Sequence, residues 1–246
     1  MKSFLFLILF STASAFAQSA LLPGIILPVA LDSVLNSKKL KVSQQLETTL
    51  MQDVALPDGP VLRAGAKIRG HVTAVAPPAA GRGAQVTLQF DTLEFSDRRL
   101  PIMTSLRAVA SMMEVHYAQL PKGTGVGTPA SLWITTQVGG DVVNRGRGIV
   151  ANSGGIVGKP AANGVLVKVL PNPKAGCPNA GEGDFQLQSL WLFSADACGA
   201  YGVRGLTIAH AGATAPIGQI TLAASKDQFN VKSGGALLLQ VVGDRP

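Results

Sequence analysis

The chain has 246 residues, of which 47% are hydrophobic, 5% aromatic and 14% charged, with 28 glycines and 15 prolines. Its 21 basic and 14 acidic residues leave a net charge of +7 with no long block of one sign, which argues against a nucleic-acid-binding or membrane-binding patch. The densest run, Lys38, Lys39 and Lys41, reads as a solvated loop, and the glycine and proline content fits a loop-rich β-protein better than a helical one.

Residues 1–17 read as a cleavable signal peptide. Lys2 supplies the positive start, the stretch from Phe4 to Phe10 the apolar core, and Ala15-Phe16-Ala17 the small-residue cleavage site, so that the mature chain begins at Gln18. No cysteine follows the apolar core, which excludes lipoprotein processing. The expected address is the periplasm or the extracellular space, with association to the outer membrane a further address, and no later stretch qualifies as a transmembrane helix.

The run Gly24 to Leu31 suits a first or edge strand, with Pro28 calling for an edge or a bulge. A polar turn follows at Asn36 to Lys41. Leu46, Thr48, Leu50, Gln52 and Val54 then mark one face of a strand. Pro57-Asp58-Gly59-Pro60 is a turn. The cleanest pattern comes next: Ala66, Ile68, Gly70, Val72 and Ala74 alternate with polar residues, and so do Val86, Leu88 and Phe90. The apolar phase then slips to Leu93 and Phe95, which predicts a hairpin over 63–95 with a bulge near Asp91 and Thr92. Ser96 to Arg99 turns the chain, and Leu100 to Leu106 is the next strand.

The spacing of Val109, Met112, Met113 and His116 predicts a helix over 108–119 with a Met-rich packing face. Pro121 to Gly127 is a connection. The region 132–173 is glycine-rich with short apolar pieces. Within it, Gly146 to Ala151 matches a dinucleotide fingerprint in form, but no βαβ unit surrounds it and no acidic residue stands about twenty positions on. Arg145 and Arg147 among those glycines are candidates for an anion-binding nest, against the plainer reading of an exposed loop.

Cys177 and Cys198 form an even pair in an exported chain and are expected to be joined, whereas His71, His116 and His210 show no metal-ligand spacing. Phe185 to Phe193 resumes as a strand. Trp191, like Trp133, reads as a core or rim aromatic, with sugar stacking the alternative, and Tyr201 joins them as a candidate stacking surface. Leu206 to His210, Gly218 to Ala223 and Ala236 to Val242 are the last strands, the final one apolar enough to be buried on both faces.

Motifs of catalysis are missing: no Gly-x-Ser-x-Gly, His-Glu-x-x-His or Walker loop occurs, and Lys232-Ser233-Gly234 has no Ser-x-x-Lys to serve. The order Gly24 to Val29, Leu46 to Val54, Val61 to Gly65, Ile68-Arg69-Gly70 and Val86 to Phe95 resembles the C-terminal barrel of the TrbI-type channel scaffold proteins of conjugal-transfer (type IV secretion) systems, over residues 22–106. That family carries an inner-membrane helix and a proline-rich linker ahead of its barrel, where this chain has a cleavable signal, and the glycine-rich middle has no counterpart there. The resemblance implies a barrel-like fold in the cell envelope and transfers no functional residue.

The expectation is an all-β protein: a barrel-like or sandwich domain from residues 18–106 and 205–246, a glycine-rich insertion at 107–204 held by Cys177 and Cys198, and at most one or two short helices. Its expected role is that of an exported structural or interaction protein of the cell envelope, without catalysis or cofactor, whose partner is an envelope protein or a glycan. A carbohydrate or small-ligand binding module is the alternative, and a hydrolase of unrecognised type the third reading.

Overall fold

The computed structural model describes residues 21–56, 61–120, 123, 125–129, 132–140, 143–146, 148–161, 164–168, 177 and 187–243. The expected signal peptide at 1–17 and the expected turn at 57–60 lie outside the described residues. Among the described residues the protein is all-β with one short helix. Its strands are β1 (Ile26–Leu31), β2 (Leu35–Asn36), β3 (Gln45–Leu50), β4 (Lys67–Ala76), β5 (Gln85–Phe95), β6 (Arg98–Pro101) and β7 (Thr104–Ala110). After helix α1 (Met112–Gln119) come β8 (Ile134–Thr136), β9 (Val143–Arg145), β10 (Val150–Asn152), β11 (Gly155–Ala161), β12 (Gly164–Lys168) and β13 (Leu187–Leu190). The chain ends with β14 (Gly199–Tyr201), β15 (Leu206–Ala209), β16 (Ile220–Ala224), β17 (Asn230–Val231) and β18 (Ala236–Val241).

A ten-stranded sheet runs in the order β14-β7-β18-β1-β3-β4-β5-β16-β15. Strand β6 shares with β16 the far edge of β5: β16 pairs along Gln85 to Leu88 and β6 along Thr92 to Phe95. Strands β8 to β13 make a second, six-stranded sheet in the order β13-β12-β11-β10-β9-β8, and β2 pairs with β17. The large sheet folds over on itself. The Gly212 N–H donates to the Leu106 carbonyl at 2.9 Å and the Thr104 hydroxyl to the Phe90 carbonyl at 2.9 Å, yet the ladders do not close into a barrel. The barrel implied by the resemblance therefore gives way to a sandwich-like all-β arrangement.

The central hairpin forms as its alternation predicts. Strands β4 and β5 pair antiparallel, with Ile68, Gly70, Val72, Val86, Leu88, Phe90 and Leu93 buried. The register jumps from Arg69↔Thr92 to Gly70↔Phe90, leaving Asp91 as the extra residue of a bulge at the place the phase slip marked. A second jump, from Val72↔Leu88 to Ala74↔Thr87, makes Thr73 another bulge residue. This one corrects the sequence reading, because it turns Ala74 outward and gives its core position to Val75.

Two further expectations change. Strand β1 is no edge: it lies between β18 and β3, and Pro28 is tolerated because the β3 ladder ends beside it. The Met51 N–H donates to the Pro28 carbonyl at 2.9 Å, and the reciprocal bond is the one a proline cannot make. Residues 100–106 do not form one strand either. The chain breaks at Ile102 and Met103 between β6 and β7, and the turn is only Ser96-Asp97, both at positive φ (46° and 60°), as a two-residue hairpin turn of the primed type requires.

The helix is shorter than its periodicity indicated, since residues 104–110 extend as β7 and leave α1 to begin behind Ser111. Ser111 accepts from the Glu114 N–H at 3.3 Å, the first half of a Ser-x-x-Glu capping box. Val115 and Ala118 face inward, whereas Met112 and Met113 are exposed, so the Met-rich face predicted for packing looks to solvent.

The main core lies between the halves of the folded sheet and includes Leu27, Val29, Leu31, Leu46, Leu50, Ile68, Phe90, Leu106, Leu222, Leu237 and Leu239. A second apolar layer covers the opposite face of β7, β18 and β1: Ala108, Ala110, Ala236, Leu238 and Ile26 pack against Val115 and Ala118 of α1 and against Val138, Val150, Leu190, Leu192 and Phe193. Strand β18 is thus buried on both faces, as its unbroken apolar run implies.

Gly70 offers a direct test of the bulged hairpin. A Cβ at this position would run into the carbonyl of Gln89 and the ring of Phe90. The Gly70→Ala variant is expected to lose about 1–3 kcal/mol of unfolding free energy in urea titration, the cost typical of overpacking a filled core. No loss would mean that the strands do not approach at this register.

Candidate interaction surfaces and the buried seam between the sheets

Two kinds of polar site stand out, one buried and one on the surface. The buried one is built from glutamines. Because β3 stops pairing with β1 beside Pro28, the backbone of fully buried Ile26 has no strand partner on that side. The side chain of Gln188, on β13, takes the place of a strand: its Oε1 accepts from the Ile26 N–H at 2.9 Å and its Nε2 donates to the Ile26 carbonyl. Gln52, just beyond β3, returns the arrangement, accepting from the Trp191 N–H at 2.9 Å and donating to the Ser189 carbonyl. Gln137 donates to the carbonyls of Leu190 and Phe193, each at 2.9 Å, while the Val138 N–H bonds to the Leu192 carbonyl at 2.8 Å. All three glutamines are buried. Gln52 and Gln188 fasten residues 187–194 to the large sheet, and Gln137 ties the same residues to the segment after β8.

Next to this seam lies Arg107, fully buried, in the bulge where β7 steps from Ala108↔Leu238 to Leu106↔Leu239. Its guanidinium reaches the Ala195 carbonyl at 3.4 Å. Burial lowers its pKa to about 10, and Asp196 and Tyr201 act in the opposite direction. Tyr201 is itself pushed up by burial. Its hydroxyl accepts from the Cys198 N–H at 2.9 Å and donates to the Cys198 carbonyl at 2.8 Å. With its hydroxyl turned into the protein, the residue's polar end braces the segment that carries the disulfide. A concavity of about 420 Å³ opens above, lined by Glu114, Tyr117, Ala118, Thr136 to Val138, Gly139 and Gly140. Among the described residues no cluster of His, Cys, Asp and Glu could hold a metal ion.

The surface site is a ladder of charges on the solvent face of β3 to β6. Lys67 bridges Asp32 at 2.9 Å and Glu47 at 3.1 Å; Arg69 bridges Glu47 at 3.3 Å and Glu94 at 2.8 Å; Arg99 reaches Glu94 at 2.7 Å. Side chains directly opposite on neighbouring strands meet in this way by register, as in Glu47↔Arg69 and Glu94↔Arg99. The hydrogen bonds that Lys67 donates to Asp32 and then to Glu47 raise its pKa, which keeps the ammonium charged. At the end of the ladder Asp53 is held below its ordinary pKa by the Ala64 N–H and by Arg63, whose Nη1 lies 2.6 Å away.

The aromatics singled out in the sequence are not brought together. Trp133 is 39% exposed, with its indole N–H donating to the Thr128 carbonyl at 3.0 Å, and Trp191 is 48% exposed at the end of β13. Neither lines the 420 Å³ concavity, and the ring contact that is formed joins His116 and Tyr117 instead. Arg145 pairs with Ile134 through its backbone in β9, and Arg147 lies outside the described residues. Cys177 and Cys198 are joined in a disulfide with their Cα atoms 5.6 Å apart, packed against Ala211. That bond fits an oxidising, non-cytoplasmic compartment, and no helix among the described residues is long and apolar enough to cross a membrane.

Sequence reasoning did not single out the three glutamines or Arg107. For Gln52 a signal existed, since it occupies the apolar phase of Leu46, Thr48, Leu50 and Val54, where a polar residue has to be bonded. No protein-family model matches the chain, and no curated protein or solved structure is detectably similar to it.

The seam can be tested by removing its amide. Gln188→Leu keeps the bulk but leaves the Ile26 N–H and carbonyl without partners, at an expected cost of about 2–4 kcal/mol in urea unfolding. Because Gln52 holds the same strand, the Gln52→Leu/Gln188→Leu pair is expected to cost less than the sum of the two single changes. Strict additivity would show that the amides do not act as one seam.

Proposed function

We propose that the protein is exported to the cell envelope, in the periplasm or at the outer membrane, and works there by holding another macromolecule and without catalysing a reaction. The observation that carries this reading is the contrast between the buried and the exposed apolar side chains of the six-stranded sheet. Its inner side closes the second core through Val150, Leu190 and neighbouring residues. The same sheet exposes Ile156 of β11 at 73% and Leu187 of β13 at 65%, and Ile149, the residue before β10, is exposed at 59%. Exposed large apolar side chains on one sheet are what a contact site needs. Strand β8 is also the last strand of this sheet among the described residues, and an extended segment of a partner can add to a sheet edge. Catalysis finds little support beside this: the Tyr201 hydroxyl is committed to the backbone, and His71 lies 3.2 Å from Asp91 with both side chains about a third exposed.

The distant likeness of residues 22–106 to conjugal-transfer scaffold barrels fits an envelope protein that contacts others, and it enters here as part of the proposal. A glycan is the second reading, favoured by one observation: both indoles, of Trp133 and Trp191, are partly exposed and so available for stacking on a sugar ring.

Affinity capture of the tagged mature protein from an envelope fraction, followed by mass spectrometry, tests the reading when run beside an Ile149→Asp/Ile156→Asp variant. A specific co-purifying protein that the variant loses, at unchanged melting temperature, is the expected result. A partner retained in full by the variant would contradict the assigned surface. Saccharide binding abolished by Trp191→Ala, with no protein captured, would replace the reading with the glycan one.

A further inference from the structure

We infer that the concavity of about 560 Å³ between the Arg63 to Lys67 segment and the β5–β6 hairpin is a binding site for a phosphate-bearing ligand, held by Arg63, Arg98 and Arg99. The inference rests on how the charge ladder ends and is independent of the proposed partner surface. Along the ladder each acid is shared: Glu47 serves Lys67 and Arg69, and Glu94 serves Arg69 and Arg99. The carboxylates are thereby saturated before the cations are. Arg99 engages Glu94 through Nε and Arg63 engages Asp53 through Nη1, and both side chains are 77% exposed, so each keeps guanidinium N–H groups turned to solvent. Arg98, exposed on β6, has no acidic partner among the described residues.

The concavity brings these donors to one place. Its wall carries Arg63, Lys67, Arg98 and Arg99 against two acids, Glu94, which the ladder neutralises, and Asp97 at the tip of the turn. Three guanidinium forks around one hollow exceed what a single carboxylate accepts. They suit the non-bridging oxygens of a phosphate group, which take paired N–H donors from more than one side. The tight Ser96-Asp97 turn fixes Arg98 and Arg99 at the start of β6, so two of the donors project from a rigid ladder and not from a loose loop. A lipid headgroup and a soluble phosphate polymer offer the same oxygens, and experiment separates them.

The test uses the full mature protein with fluorescently labelled polyphosphate, read by anisotropy at low and physiological salt. Arg63→Gln/Arg98→Gln is expected to weaken binding about tenfold or more and to flatten its salt dependence. Lys38→Gln/Lys39→Gln removes the same formal charge elsewhere and is expected to change affinity less than about twofold. Asp97→Asn takes away the unneutralised acid of the hollow and is expected to tighten binding about two- to threefold. Melting temperatures report folding, and the single Arg98→Gln, which breaks no ion pair, stands in should the double variant be unstable. Cosedimentation with phosphatidylcholine vesicles, with and without phosphatidylglycerol, assigns the source: retention on the anionic vesicles that Arg98→Gln reduces indicates a lipid headgroup, and binding to polyphosphate alone a soluble ligand. Equal losses in the two double variants, no measurable binding of polyphosphate, or equal affinity for the carboxylate polymer polygalacturonate would each overturn the assignment.

Discussion

One missing hydrogen on the backbone nitrogen of Pro28 governs how the two sheets of this protein meet. A central strand between two neighbours needs donors and acceptors on both sides, and Pro28 removes a donor on the side facing β3. Nature's usual answer is to place such a residue at an edge. Here the ladder stops at Pro28 instead, and the exposed end of β1 is covered by a different part of the chain. Ile26 remains fully buried, so its amide has to be bonded, and the Gln188 side chain does so with the two-pronged geometry of a peptide group.

From that bond the second layer follows. Gln52 repeats the substitution of a side-chain amide for a strand neighbour and, with Gln188, holds residues 187–194 to β1 and the end of β3, while Gln137 ties the same residues to the segment after β8. The small side chains of Ala108, Ala110 and Ala236 let α1 and Phe193 approach closely, which completes an apolar layer that the large sheet could not bury by itself. Buried amides are directional where apolar contacts are not, so residues 187–194 dock in one register. Exposed Ile156 and Leu187 of the six-stranded sheet, with Ile149 before β10, carry the proposed function. The solvent face of β3 to β6 has the opposite character, with ion pairs spread across strands that individually contribute little to stability but leave arginine donors unspent at one end.

Legibility differed by region for physical reasons. The β4–β5 hairpin could be read down to its bulge at Asp91, because period-two alternation and its slip are local properties of the chain. The double burial of β18 was visible for the same reason. Pro28 misled, since its tolerance depends on where a distant strand ends. The helix was read with the wrong face and too early a start because residues 104–110, buried on every side, carry no alternation to distinguish a strand from a helix. Tyr201, Trp133 and Trp191 were nominated by residue type, but their separation is a matter of tertiary placement that sequence spacing does not encode. The arginine hollow escaped notice because Ser96 to Arg99 reads as a turn, while Arg63 arrives from more than thirty positions earlier in the chain.

The most direct measurement is native-state hydrogen exchange at the Ile26 amide, compared with Leu27, which lies in the β18 ladder, and with exposed Lys38. If the Gln188 side chain stands in for a strand, Ile26 exchanges only on global unfolding, with protection within about 1 kcal/mol of that of Leu27. Exchange of Ile26 at the rate of Lys38, with Leu27 still protected, would show that the seam between the sheets is open, and the account of how the insertion is held would be wrong.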